Sequence, residues 1–191
     1  MKYLVGAFFV LYCSANVFAS GCGYSAAQAR TLIYQKGAFL PVFFSRYQLD
    51  LPGPPHAFVS GEGFVAAYPN KNYVGIQRLD TGKMADSLAR LSKNLTAVSD
   101  FYRLIYGASP PLEITVDPQE QSLQRRLLKL DCMSDVIFFQ QSDIQVIFHG
   151  AREDADFHKI MLLDGDDVEL ITVRGSREIA MQIVASIKRR L

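Results

Sequence analysis

The sequence predicts an α+β fold, in which a mainly antiparallel β-sheet carries helices packed largely on one face and a cleaved signal peptide precedes the domain. Four runs of β-branched and aromatic residues, joined by short polar turns in the last third of the chain, predict the sheet. Apolar residues that recur every three or four positions over 84–106, 118–130 and 176–190 predict the helices. At the N-terminus a basic residue, an apolar run and small residues follow one another in the order of a secretory signal.

Residues 1–21 form the predicted signal peptide, in which Lys2 precedes the uncharged run Leu4–Tyr12. This run is shorter than the roughly 20 apolar residues that span a membrane. Val17-Phe18-Ala19 fits cleavage after Ala19, which would leave a soluble secreted protein. Ala19-Ser20-Gly21-Cys22 resembles a lipobox, the recognition sequence of bacterial lipoproteins, although leucine is usual at the position of Ala19. The resemblance implies lipidation at Cys22 and a membrane anchor, and we prefer it to cleavage after Ala19.

Residues 22–191 are predicted to form a single α+β domain. These 170 residues (191 − 21) can bury roughly 70% of the unfolded surface in one core. The whole chain has 20 basic and 19 acidic residues, and loss of Lys2 leaves no net charge that would argue for nucleic-acid binding. We expect Cys132 to be a buried free thiol if Cys22 is lipidated, and to pair with Cys22 if cleavage follows Ala19.

The first half of the mature chain predicts a helix followed by strands. Ser25–Lys36 begins with a capping box and is the first predicted helix. Phe39–Leu51 is extended and apolar, and we expect a strand broken at Pro41. Phe64–Tyr68 and Tyr73–Leu79 flank a four-residue polar loop, which predicts a β-hairpin.

Met84–Tyr106 is the longest predicted helix. Its apolar stripe, which includes Leu95, is interpreted as a core face in preference to a partner-binding face. Leu112–Val116 alternates as a short strand, and the helix over 118–130 begins with an N-cap acid and a proline. The residues of that helix expected to face inward are Leu123, Leu127 and Leu130.

The last third of the chain predicts four strands and a closing helix. The strands are predicted at 135–140, 144–148, 157–163 and 168–173, and the helix at 176–190. Parts of these strands are apolar on both faces, so we expect helices over one face and other parts of the protein over the second. The four strands, the segment from Asp164 to Gly175 and the closing helix follow one another in a characteristic order. This order resembles the C-terminal part of small exported bacterial α+β proteins and lipoproteins of unknown function. The resemblance covers about residues 73–187 and implies no functional residues.

The strongest candidate for metal chemistry is the group His149, Asp154, Asp156 and His158, which lies on the connection between two strands. Imidazole and carboxylate are suitable ligands for zinc or another divalent ion. Their spacing matches no metal-binding signature, so we predict no metal and no cofactor and retain the four residues as candidates.

Two other motifs have ordinary structural interpretations. Asp164–Glu169 offers oxygen ligands but lacks the longer loop of a calcium-binding EF-hand, so we interpret it as a hairpin turn. Gly61-Glu62-Gly63 precedes no helix that could cradle a phosphate, and a β-bulge is our interpretation. The chain has no nucleophile elbow, and no catalytic residue is predicted.

Together these patterns predict an exported envelope protein, a lipoprotein of the bacterial periplasm or outer membrane, that acts as a non-enzymatic binding or assembly module. Its expected partners are the membrane, through the lipid anchor, and another envelope protein, with no nucleic acid. One alternative is a small exported enzyme that uses the 149–158 loop. Another is a carrier of an apolar ligand between sheet and helices, which the 49% hydrophobic content permits.

Overall fold

The computed structural model describes residues 39–107, 114–128, 130, 135–141, 144–150 and 157–190. The predicted features outside the described residues are the signal peptide, Cys22, the helix Ser25–Lys36, Cys132, Asp154 and Asp156. Within the described ranges, no helix combines the length and the apolar character needed to cross a membrane.

The described elements are short strands and short helices that occur in groups along the chain. In chain order the strands are β1 (Leu40–Phe44), β2 (Tyr47–Leu51), β3 (Ala57–Ser60), β4 (Gly63–Ala67), β5 (Tyr73–Leu79), β6 (Asp135–Gln141), β7 (Ile144–Gly150), β8 (Phe157–Asp164), β9 (Asp167–Arg174) and β10 (Lys188–Arg189). The helices are α1 (Thr81–Leu91), α2 (Val98–Tyr106), α3 (Pro118–Leu127) and α4 (Arg177–Ser186), and a 3₁₀ turn covers Pro69–Lys71.

Two antiparallel sheets organise these elements. The larger sheet has seven strands in the order β3-β4-β5-β9-β8-β7-β6, and the smaller sheet has the order β1-β2-β10. All strand pairs in both sheets are antiparallel, which confirms the predicted α+β fold with a mainly antiparallel sheet. The predicted hairpins are confirmed as β4–β5, β6–β7 and β8–β9, and the pairing of β5 with β9 joins the first hairpin to the last.

Helices α1, α2 and α3 form a layer over one face of the larger sheet. Ile147, Met161 and Val168 project from β7, β8 and β9 into this layer and are buried. Leu91 of α1 and Phe101 of α2 are buried in the same cluster. Because burial of apolar surface is the main favourable contribution to folding, this cluster forms the first of two cores.

The opposite face of the larger sheet is covered by the smaller sheet together with α4. Phe148 and Ile160 project towards this side and share a buried core with Leu49 of β2 and Ile183 of α4. The expectation that the closing helix packs on the same face as the others is therefore wrong. Strands β7, β8 and β9 are apolar on both faces, so each face requires a covering layer, and α4 contributes to the second one.

The closing helix is also shorter than predicted. It ends at Ser186, whose hydroxyl donates to the Ile183 carbonyl at 2.7 Å. Ile187 is extended, and Lys188 and Arg189 then pair with β2. The end of the chain thus adds a strand to the smaller sheet where continued helix was expected.

The predicted long helix over 84–106 is two helices separated by residues 92–97. Ser92 is extended with φ −162°, and the Leu95 N–H donates to the Ser92 carbonyl at 3.1 Å to form a turn. Serine and asparagine favour such turns because their side chains compete for backbone hydrogen bonds, and the Ser92 hydroxyl accepts from the Asn94 N–H at 3.4 Å. Leu95 lies within this break and is buried in the core. The prediction that the apolar stripe is a core face is therefore confirmed, although the helix is interrupted.

Leu95→Ala should lower the free energy of unfolding by about 2–5 kcal/mol, because it removes a buried side chain and leaves a cavity. Leu95 is 5% exposed, whereas Leu127 is 66% exposed and provides the control. Leu127→Ala should change the free energy of unfolding by about 0.5 kcal/mol or less. Urea unfolding of both variants measures the difference, and similar values would show that Leu95 is not part of the core.

Helix α3 is rotated relative to the orientation expected from its leucines. Leu123 is 42% and Leu127 is 66% exposed, so the expectation that both face inward is wrong, while Leu130 beyond the helix is buried. Gln124 is buried instead, and Gln121 donates from Nε2 to the Leu104 carbonyl at 3.0 Å. Gln121 thereby satisfies an acceptor near the end of α2, a role that leucine cannot fill.

The predicted strand Phe39–Leu51 is a hairpin formed by β1 and β2. Its turn falls at Ser45 and Arg46, and Ser45 has φ 52°. Pro41 lies inside β1, where a missing N–H is tolerated because β1 is an edge strand of the smaller sheet. Of the predicted strand Leu112–Val116, the described residues 114–116 form no strand.

Candidate binding surface

Strands β3, β4 and β5 extend the larger sheet beyond the helical layer. The buried core on the helix side includes residues from β6, β7, β8 and β9, and among the described residues it includes none from β3 or β4. The same face continues through Val59 on β3, which pairs with Val65 on β4, and through Ala67 on β4, which pairs with Tyr73 on β5. Val59 is 68% exposed and Val65 is 44% exposed. We call these four residues the open face.

The reverse side of β3 and β4 is packed against the smaller sheet. Phe58 stacks on Phe64 with their ring centroids 5.1 Å apart. Phe64 in turn meets Phe44 of β1 in an edge-to-face contact at 5.8 Å. Aromatic pairs in these geometries add stability beyond the area they bury. The open face therefore lies on strands that are supported from behind.

Two shallow depressions adjoin Val65. The first, of about 460 Å³, reaches Glu62 and Lys83, whose Oε2 and Nζ atoms are 3.5 Å apart. The second, of about 700 Å³, reaches His56 and Lys71. Both volumes lie within the roughly 300–1,000 Å³ of small-ligand sites, but they are open to solvent along the sheet. The surface around Val65 is apolar and has charged groups on either side, an arrangement that suits an extended protein segment better than an enclosed small molecule.

Strand β3 also exposes one edge of its backbone. Among the described strands it pairs with β4 alone, and Ala57–Ser60 are all exposed. Ala57-Phe58-Val59-Ser60 contains no charged residue and no proline, the features that commonly protect edge strands from pairing with other chains. The edge strand β1, in contrast, contains Pro41. The unpaired donors and acceptors of β3 can therefore pair with another strand.

The two candidate histidines lie on opposite faces of the larger sheet. His149 faces the helical layer, where its Nδ1 lies 3.0 Å from the Tyr106 hydroxyl. His158 pairs across strands with Gly150, the neighbour of His149, and its ring stacks on Phe148 in the other core. Since neighbouring strand residues point to opposite faces, the two imidazoles cannot share an ion.

The wider metal candidate extends to residues that the structure does not describe. Asp154 and Asp156 lie outside the described residues. In the described ranges, no group of three or more histidine, cysteine, aspartate or glutamate residues could hold a metal ion. His149 and His158 are thus separated by the sheet, and the absence of a metal remains a prediction.

A charged cluster joins the two sheets at the β8–β9 turn. Asp164 is buried and accepts hydrogen bonds from the Tyr47 hydroxyl at 2.8 Å and from Arg189. Arg46 lies 3.5 Å from the same carboxylate. Burial alone would raise the pKa of Asp164, but the hydrogen bonds from Arg189 and Tyr47 and the charges of Arg189 and Arg46 outweigh it and lower the pKa.

Asp167 and Glu169 complete this cluster. Asp167 forms ion pairs with Arg46, at 2.5 Å, and with Arg78. Glu169 is 2% exposed, and its Oε2 has no hydrogen-bond partner among the described residues. Burial raises the pKa of Glu169, although a hydrogen bond with Ser45 and the charge of Arg78 oppose the rise. The turn interpreted from sequence as a simple hairpin is thus an ionic link between sheets.

Glu169→Gln should increase the stability of the protein at neutral pH. A carboxyl whose pKa is raised by folding contributes most below its unfolded pKa, near 4.3, and its contribution falls as the pH rises through the folded pKa. Glutamine removes that fall, so the advantage of the variant should shrink as the pH is lowered below about 4. Urea unfolding of variant and wild type at pH 7 and below about pH 4 measures this difference in stability. Equal stability of the two proteins at pH 7 would contradict the prediction.

Comparison with known proteins does not assign a family. No protein-family model and no curated protein matches the chain. Among solved structures, it is similar to a protein of Bacteroides thetaiotaomicron VPI-5482 whose crystal structure was determined at 1.50 Å resolution. The two share 13% identity with a TM-score of 0.34, over 76% of this chain and 46% of that chain. The chain spans less than half the length of that protein, and a similarity of this degree assigns no function.

Proposed function

We propose that this protein is exported, is anchored to an envelope membrane through lipid on Cys22, and acts as a non-enzymatic binding or assembly module. The observation that carries the proposal is the open face. Val59 and Val65 expose apolar side chains on paired strands, beside an unpaired strand edge. Exposed apolar groups that are contiguous on a folded surface commonly mark a site for a partner.

The sequence at the N-terminus supports the location. Residues 1–21 have the order of an export signal, and Ala19-Ser20-Gly21-Cys22 resembles a lipobox. A lipid on Cys22 would hold the domain beside the membrane, where partners are concentrated by the anchor. Weak contacts at the open face can then sustain an assembly that they would not sustain in dilute solution.

The position of the titratable groups supports binding in preference to catalysis. His149 and His158 are buried in separate cores, and Glu169 lies between the two sheets. The depressions at the open face are lined by apolar residues such as Val65 and by exposed polar groups, with His56 at one depression and Glu62 at the other. Acid–base chemistry requires groups within hydrogen-bond reach of the substrate; the two buried histidines line neither depression, and His56 and Glu62 line different ones.

A photo-crosslinking amino acid at position 65 tests the binding role in cells that export the full chain. We expect irradiation to yield an adduct of defined mass in the membrane fraction. The control carries the photo-crosslinking amino acid at position 127, an exposed site on α3, and should yield no such adduct. Identical adducts from both positions, or none from position 65, would contradict a partner at the open face.

The mass of the exported chain tests the anchor independently. We expect a mature chain that begins at Cys22 and carries the mass of acyl groups, with Cys132 alkylated only after denaturation. A chain that begins at Ser20 and lacks two hydrogens would instead have a Cys22–Cys132 disulfide. That result would remove the anchor and leave a soluble secreted domain.

A further inference from the structure

We propose that β3 binds β3 of a second copy of this chain, in antiparallel orientation, so that two larger sheets join into one across a two-fold axis. This inference concerns the strand edge, whereas the proposed function depends on the open face, and the two can fail separately. The partner is the chain itself because its own β3 has the three properties that the free edge requires: backbone groups available for pairing, apolar side chains on both faces, and an acidic residue beyond its C-terminal end.

The backbone of β3 provides the first property. In the part of the chain that the structure describes, only β4 pairs with Ala57–Ser60, and the other edge has no charge or proline to prevent pairing. An antiparallel partner strand satisfies the donors and acceptors of both edges at once, which a ligand of another shape does not. The β3–β3 contact is isologous, so it closes as a dimer and leaves no further edge of this strand unpaired.

The side chains of β3 provide the second property. Phe58 is 51% exposed on one face, and Val59 is 68% exposed on the other. A strand beside β3 therefore needs apolar groups at consecutive positions to cover both. Another β3 supplies them, and a register with Val59 opposite Val59 keeps equivalent faces of the two sheets on the same side. The two open faces then form one continuous surface.

The charges at the two ends of β3 provide the third property. At the N-terminal end, Lys71 and His56 line the same depression, and Lys71 forms no ion pair with another described residue. Just beyond the C-terminal end, Glu62 is 95% exposed. Antiparallel pairing places the C-terminal end of one β3 beside the N-terminal end of the other. Glu62 of each copy therefore approaches His56 and Lys71 of the other, twice by symmetry.

The backbone before β5 holds Lys71 in an unusual conformation. Asn70 and Lys71 both have φ 60°, in the left-handed region that residues other than glycine rarely occupy. Two such residues in succession are strained, and strain of this kind persists where the surroundings or a function maintain it. A fixed position for Lys71 beside the strand end agrees with a role in pairing.

Sedimentation velocity over a wide range of protein concentration tests the pairing. The exported chain with Cys22→Ser is used under reducing conditions, so that neither lipid micelles nor intermolecular disulfides contribute. Because the contact is a single strand from each copy, we expect it to bury less than the roughly 1,200–2,000 Å² of a standard interface and the dimer to depend on concentration. A monomer at every concentration would overturn the proposal.

Charge exchange then identifies the surface. Glu62→Lys and Lys71→Glu should each weaken the dimer about tenfold, because each turns two attractive contacts into repulsive ones. The double variant restores opposite charges and should associate within about twofold of the wild type. Val59→Lys should abolish the dimer, and Leu127→Lys should leave it unchanged. A dimer that Val59→Lys does not weaken, or one that the double charge exchange does not restore, would refute β3 pairing.

A failed dimer and a failed binding role remain distinguishable. Crosslinking from position 65 reports on the open face whether or not β3 pairs with itself. A crosslinked product of twice the mass of the chain would identify a second copy at that position. An adduct of any other mass would identify a different partner and would leave the sedimentation result to decide the pairing of β3.

Discussion

Gly63→Ala should destabilise the protein by about 3 kcal/mol, at the upper end of the range for overpacking. A methyl group at Gly63 would lie 2.1 Å from the carbonyl oxygen of Ile76 and 3.2 Å from the Cα of Gln77. Both atoms belong to the backbone of β5, so they cannot rotate away as a flexible side chain would. Strands β4 and β5 would have to separate, and the open face would lose its support.

Gly61 provides the control for this prediction, since it lies two residues away at the end of β3. A methyl group at Gly61 would have no heavy atom within 4 Å. Gly61→Ala should therefore change the free energy of unfolding by about 0.5 kcal/mol or less. Urea unfolding of the two variants measures the contrast. Equal destabilisation would show that the glycines serve the conformation of the turn and that the close approach to β5 is unimportant.

Asp164→Asn should destabilise the protein by about 2 kcal/mol at pH 7, because it removes a buried charge that Arg189 and Arg46 neutralise. Asparagine can still accept the hydrogen bond from Tyr47, so the variant isolates the ionic contribution. The arginines remain partly exposed to solvent, which limits the loss.

The pH dependence of this effect has a defined sign. Folding lowers the pKa of Asp164, so its contribution is complete above the unfolded pKa of about 3.9 and is lost as the pH falls through the folded pKa. Wild type and variant should therefore converge in stability in strong acid. Asp166→Asn, at an exposed position in the same turn, should change stability little at any pH. A difference between Asp164→Asn and wild type that persists unchanged in acid would contradict the ionic role.

The strands of the larger sheet were predictable because their signals are local. Alternation in β7 and β9 and the short polar turns beside them depend on neighbouring residues. The face on which α4 packs was not predictable in this way, since strands that are apolar on both sides accept a helix on either. The break at Ser92 was missed because the apolar spacing continues across it with little change of phase.

The rotation of α3 and the charged cluster depend on contacts between distant parts of the chain. Gln121 faces inward because a carbonyl of α2 needs a donor there, and the helix's own sequence contains no sign of that need. Arg46 and Asp167 are 121 residues apart in sequence, so no local motif could pair them. A clue was present in Glu169, an acid that stands between Val168 and Leu170 within the strand and indicates a buried partner.

The open face illustrates the limit of reading apolarity as burial. Val59 and Val65 resemble core residues in sequence, and the sequence predicts no separate strand at β3. Their exposure follows from the extent of the helical layer, which is determined by the loops and packing of α1, α2 and α3. The candidate surface could therefore be found only once the two layers were known to differ in extent.

Hydrogen exchange of the full-length protein, alone and in detergent-solubilised envelope, tests the central claim that β3 and the open face are the binding surface. In the isolated protein at low concentration, the amides of Ala57–Ser60 that do not donate to β4 should exchange quickly, because no other described strand pairs with that edge. In the envelope these amides should become protected and those of Gly63–Ala67, which already pair within the sheet, should exchange more slowly still, while the amides of α3 should be unchanged. Protection confined to the helical layer, or identical exchange in both samples, would contradict the claim.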